Sequence, residues 1–83
     1  MIKEAFIKHR FTEDLFEIYY RNQKGDDFFL TGYPVPGYDE NTESFWFCNN
    51  KVPIGVYPLV QLEFSKVFKV FVHPSKGGDK LEY

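Results

Sequence analysis

A single cysteine, Cys48, stands among 83 residues, so no disulfide can form within the chain. The sequence therefore reads as a domain that folds without covalent staples and works in a reducing compartment, which we take as the cytoplasm. No apolar run approaches the ~18 residues that a membrane-spanning helix needs. The first eleven residues, MIKEAFIKHRF, carry charges every few positions and lack the apolar stretch of a secretory signal. Between Gly25 and Asn50 there is no Lys or Arg at all, although that stretch holds Asp26, Asp27, Asp39, Glu40 and Glu43. With a net charge of −2, the chain does not resemble a general nucleic-acid coat. Motifs are equally sparse: there is no serine elbow, no phosphate-binding glycine loop and no dinucleotide fingerprint. Cys48, His9 and His73 are far apart in sequence and lack the paired spacing of a zinc site. The Ser75–Lys80 segment places glycines near lysines but has no helix behind it to bind phosphate. Asp39, Glu40 and Glu43 do not match the ligand spacing of a calcium loop. No catalytic residue, metal or cofactor is expected, and Cys48 reads as a small packing residue on a strand.

Aromatic rings are what the chain has in abundance. Ten Phe, six Tyr and one Trp make up 20% of it, within an apolar share of 43%. That share supports one compact domain over residues 1–83 rather than disorder. Seventeen large rings are too many to hide in so small a fold, so some must lie at the surface. Exposed Tyr and Trp anchor protein interfaces and also stack nucleic-acid bases.

Hydrophobic alternation predicts a strand over about 3–11, with Ala5, Ile7, His9 and Phe11 on one side and Phe6 out of step. A second strand follows over DLFEIYYRN, where Phe16, Ile18 and Tyr20 share one parity. A helix over 12–24, capped by Thr12, is the alternative there. Asn22–Asp26 reads as a hairpin turn into a third strand over 28–33. The glycines and prolines of GYPVPGYDENTES then predict a loop of about a dozen residues. SFWFC reads as a fourth strand, 49–51 as a turn and 52–58 as a return strand confined to an edge by its prolines. Residues 58–64 read as a short helical turn and 67–72 as a last strand; one helix over 58–72 is the alternative. Residues 74–83 read as a polar, mobile tail. The expected fold is mainly β: a small antiparallel sheet or partly closed barrel of about five strands with one short helical turn. The alternative is α+β, with helices near 12–24 and 58–72.

The sharpest functional feature is the acidic, aromatic loop. Tyr33, Tyr38, Asp39, Glu40, Glu43 and the flanking Trp46 combine rigid rings with negative charge, a pattern suited to docking on a basic protein surface. The expectation is a non-enzymatic interaction module, an adaptor or inhibitor of a larger, host protein. Small acidic proteins of this kind are encoded by phages and mobile elements. The second reading is a single-stranded nucleic-acid binder that stacks bases on Tyr19, Tyr20 and Trp46. Lys8, Arg10, Arg21, Lys66 and Lys69 would hold its phosphates. No membrane partner is expected.

Overall fold

The computed structural model describes residues 2–49 and 59–83. Ile2, Ala5, Phe6 and His9 recur at spacings of three and four, the period of a helix face. Helix α1 accordingly spans Ile2–His9, with Glu4 in its first turn and Lys8 and His9 in its last. This corrects the strand expected over 3–11. Phe6, which broke the alternation, is the residue that faces inward, 1% exposed beside Ala5 at 0%. Thr12 ends the helix by donating from its hydroxyl and its amide to the His9 carbonyl.

All six strands among the described residues are antiparallel and form one open sheet, not a closed barrel. They are β1 (Leu15–Arg21), β2 (Asp27–Asp39), β3 (Ser44–Asn49), β4 (Leu59–Glu63), β5 (Val67–His73) and β6 (Leu81–Glu82). Their spatial order is β4-β3-β2-β1-β5-β6. The fold is thus mainly β, as the aromatic and β-branched content implies. Asn22–Asp26 makes the expected hairpin turn: the Asn22 side chain accepts from the amides of Lys24 and Asp26, and Gly25 takes φ 85.

Three further expectations give way to strand pairing. The predicted dozen-residue loop is mostly β2 running on to Asp39, where Tyr38 pairs with Phe45 and Asp39 with Ser44. The ladder is broken only between Pro34 and Tyr38. Prolines there lack an amide donor, and Gly37 takes φ 102, so the strand bulges and then resumes. Residues 59–63 form β4 rather than a helical turn, because Val60 and Leu62 pair with Phe47 and Phe45. A short 3-10 turn, Phe64–Lys66, follows. In the segment read as a polar tail, Leu81 and Glu82 pair with Val72 and Phe71. Tyr83 exchanges both backbone bonds with Val70. The predicted return strand over 52–58 lies outside the described residues.

Alternation sorts the sheet into two faces. Phe16 and Ile18 of β1, Phe45 and Phe47 of β3, Leu62 of β4, and Val70 and Val72 of β5 point to the side covered by α1. Phe6 sits among Phe45, Phe64 and Tyr38, with ring centroids 5.2–5.9 Å away. Each such fully buried side chain contributes roughly 1.5–3 kcal/mol.

Candidate functional site

The opposite face carries the odd-numbered residues of β1 and their partners. Tyr19 is its centre. Its ring centroid lies 5.0 Å from Phe29, 6.0 Å from Phe68 and 6.1 Å from Phe71. The register explains the gathering: Tyr19 pairs with Phe29 on one side and Lys69 on the other. A bulge between Tyr19 and Tyr20 brings Phe68 to the same cluster. Phe29 is 39% exposed and Phe68 49%. The parity of β2 and β3 carries Tyr33 and Trp46 to this face as well, 40% and 45% exposed.

Cations ring the cluster. The Arg21 guanidinium lies 4.9 Å from the Phe68 centroid, while Lys69 and Lys80 approach Phe71 at 5.5 and 4.3 Å. Most of this charge is already matched. Arg21 makes two bonds to Asp27, at 2.7 and 3.1 Å. That pairing raises the arginine's pKa further and holds the Asp27 carboxyl below the usual carboxylate range. Lys69 lies 3.5 Å from Glu82, and His73 pairs with Glu17 at 2.8 Å. The outer face thus has an aromatic centre with charges of both signs around it.

The residues singled out in the sequence do not form one docking loop. Tyr38 turns inward and packs edge-on against Phe6 and Phe64. The Asp39 carboxylate accepts from the amides of Asn41 and Thr42, shaping the β2–β3 turn. Glu40 accepts from the Tyr38 hydroxyl at 3.3 Å. Glu43 takes φ 48, gives its carbonyl to the Phe64 amide, and lies 3.6 Å from Lys3. Trp46 shares a shallow cavity of about 440 Å³ with Val35, Gly37, Tyr38, Asp39 and Glu40, so the exposed ring and two of the acids remain neighbours.

The residues of the nucleic-acid reading are scattered. Tyr19, Arg21 and Lys69 lie on the outer face, but Tyr20 packs against the core on the other side. Lys66 pairs with Glu63 at 3.2 Å, and Lys8 and Arg10 belong to α1 and its exit. The sequence reading missed Phe29, Phe68 and Phe71. The signal for them is the register of three strands, which local alternation does not reveal.

One other constellation has the look of chemistry. His9 Nδ1 donates to Asp14 at 2.9 Å, and His9 Nε2 bonds to the Tyr83 hydroxyl at 2.8 Å. Burial pushes the Asp14 carboxyl up. Bonds from the Thr12 side chain, the Ser75 amide and His9 outweigh that and hold it at about 2. Both His9 and Asp14 are 7% exposed, and both ring nitrogens are engaged. The trio ties α1 to the β6 end, and Asp14 also lines a cavity of about 510 Å³ with Thr12, Pro74 and Ser75. Among the described residues no three His, Cys, Asp or Glu side chains gather in a way that could hold a metal ion. Nor is any helix there long and apolar enough to cross a membrane. No family model, curated protein or solved structure matches the chain.

Proposed function

We propose that the chain is a non-enzymatic protein-interaction module, an adaptor or inhibitor that docks a larger protein through the uncovered sheet face. The observation that carries this reading is the Tyr19–Phe29–Phe68–Phe71 cluster, with Phe29 and Phe68 exposed and the neighbouring Arg21 and Lys69 charges already matched by Asp27 and Glu82. Aromatic anchors supply contact area at low entropic cost, and paired rim charges give orientation more than affinity. Trp46 and Tyr33 extend the same surface, with Asp39 and Glu40 at its margin and Glu43 at the adjoining turn. A cytoplasmic site of action and an origin in a phage or mobile element fit the lone thiol and small size, and belong to the same proposal.

Single-stranded nucleic acid is the second reading. Lys80, which has no carboxylate partner among the described residues, lies 4.3 Å from the Phe71 centroid, a pairing that base-stacking surfaces also use. One experiment separates the two. The protein and its Phe68→Glu variant are used to capture partners from nuclease-treated lysate of the source cells, and both are titrated with a labelled twelve-nucleotide oligothymidylate at physiological salt. A protein captured by the wild type and lost with Phe68→Glu supports docking. Oligonucleotide binding with no nuclease-resistant partner overturns it.

A further inference from the structure

A cavity of about 590 Å³ opens at the exit of α1, away from the aromatic centre of the outer face, and is lined by Arg10, Phe11, Glu13, Tyr33, Pro34 and Ser75. Its cation is unsatisfied. Arg10 Nε is buried without a hydrogen-bond partner, a rare state for so strong a donor. Unlike Arg21, Lys66 and Lys69, Arg10 pairs with no carboxylate among the described residues. Its guanidinium lies 4.9 Å from the Phe11 centroid and 5.7 Å from that of Phe6. Rings hold a guanidinium in place but leave its in-plane N–H groups without acceptors.

The rest of the wall is also built in an unusual way. Phe11 is 70% exposed and Tyr33 40%, two large rings left open at one cavity. Glu13 is held at φ 64, a left-handed conformation that residues other than glycine seldom adopt. The nearby helix-end carbonyls accept from other donors, that of Phe6 from the Arg10 amide and that of His9 from Thr12, and neither accepts from Arg10 Nε.

We propose that this cavity binds a carboxylate borne on an aromatic or apolar body, with Arg10 recognising the carboxylate and Phe11, Tyr33 and Pro34 receiving the body. The two terminal Nη groups of the guanidinium match the two oxygens of a carboxylate, which supplies the counter-charge that Arg10 lacks, while Nε stays buried behind them. Glu13 on the same wall disfavours a doubly charged phosphate more than a singly charged carboxylate. This site adjoins the outer-face docking surface and shares Tyr33 with it, whereas Arg10, Phe11 and Glu13 belong to the cavity alone. Two sources present the chemistry: a peptide chain ending in an aromatic residue, or an acidic side chain beside one.

The test is a titration of isotope-labelled protein followed by amide chemical shifts. The probes are N-acetylphenylalanine, its carboxamide, the dipeptide acetyl-Glu-Phe-amide and inorganic phosphate. N-acetylphenylalanine or the dipeptide is expected to bind with a dissociation constant of order 1 mM, as befits a fragment. Shifts should be confined to residues 10–13, 33 and 75. The tighter of the two names the source. The carboxamide should bind at least about tenfold more weakly, and phosphate more weakly still. Arg10→Gln should abolish binding and Arg10→Lys should weaken it about fivefold or more, since lysine lacks the fork. Glu13→Gln should tighten it about two- to threefold and keeps the test decisive if Arg10 variants misfold against Phe6. Equal binding of acid and carboxamide, no binding of either carboxylate probe, or an unchanged affinity in Arg10→Lys would overturn the proposal.

Discussion

The two faces of the sheet carry aromatic clusters built to nearly the same dimensions. Phe6, Tyr38, Phe45 and Phe64 meet at 4.9–6.1 Å on the inner face, and Tyr19, Phe29, Phe68 and Phe71 at 5.0–6.1 Å on the outer. What differs is cover. The helix closes the inner cluster, where Phe6, Phe45 and Phe64 are 1–8% exposed, whereas Phe29 and Phe68 remain 39% and 49% exposed. Burial turns rings into stability; exposure leaves the same rings available to a partner. The difference teaches that ring content says how much apolar area a chain owns, while register decides where it is used.

Substitutions should separate the two faces sharply. Phe6→Ala removes the helix's anchor and should cost about 3–5 kcal/mol by urea denaturation, enough to unfold a marginal domain. Asp14→Asn comes next. It takes the charge from His9 and from the Ser75 amide in a buried place, and should cost about 2–4 kcal/mol. The same carboxylate sets an acid limit. Its value is about 2 in the fold against 3.8 ordinarily, so its contribution is complete above about pH 4–5 and is lost as pH falls toward 2. That loss amounts to about 2 kcal/mol, and Asp14→Asn should flatten this part of the stability–pH profile. Tyr83→Phe leaves His9 Nε2 without its partner and should cost about 1 kcal/mol. Amide exchange at Val70, which bonds to the Tyr83 carbonyl, should quicken with it. The smallest effect on stability belongs to the triple change Asp39→Asn, Glu40→Gln, Glu43→Gln, within about 1 kcal/mol by the same denaturation. If these acids guide docking, the triple change should slow association with a captured partner and reduce its salt dependence.

The contrast between faces also marks what could be read in advance. Strand β1 was legible because it alternates and ends at the Asn22 turn, and β3 and β5 because short runs rich in Phe and Val favour a pleated surface. Helix α1 was not, because eight residues fit both periods until Phe6 is treated as an inward residue instead of an exception. Strand β4 matched a helical spacing through Val60 and Phe64, and only its pairing with Phe45 and Phe47 settled it. The prolines of β2 were correct signals of a broken ladder, but a bulge absorbs the break and the strand continues beyond it. Among the candidate site residues, exposure of Tyr33 and Trp46 agrees with the argument that seventeen rings could not all be buried. Tyr38 looked like its neighbours in the sequence, yet it faces the core, because it keeps the parity of Pro34 across the bulge and pairs with the buried Phe45, whereas Tyr33 has the opposite parity. The outer cluster joins residues 19, 29, 68 and 71 from three strands, and no local pattern links them.

The measurement that bears most directly on the two-face account is the unfolding free energy of the double variant Phe29→Ser, Phe68→Ser, taken beside Phe6→Ala under the same conditions. If the outer rings are a surface held open for a partner, the double variant should stay within about 1 kcal/mol of the wild type. A loss of 3 kcal/mol or more, comparable to that of Phe6→Ala, would show that the outer cluster is a second core and contradict the account.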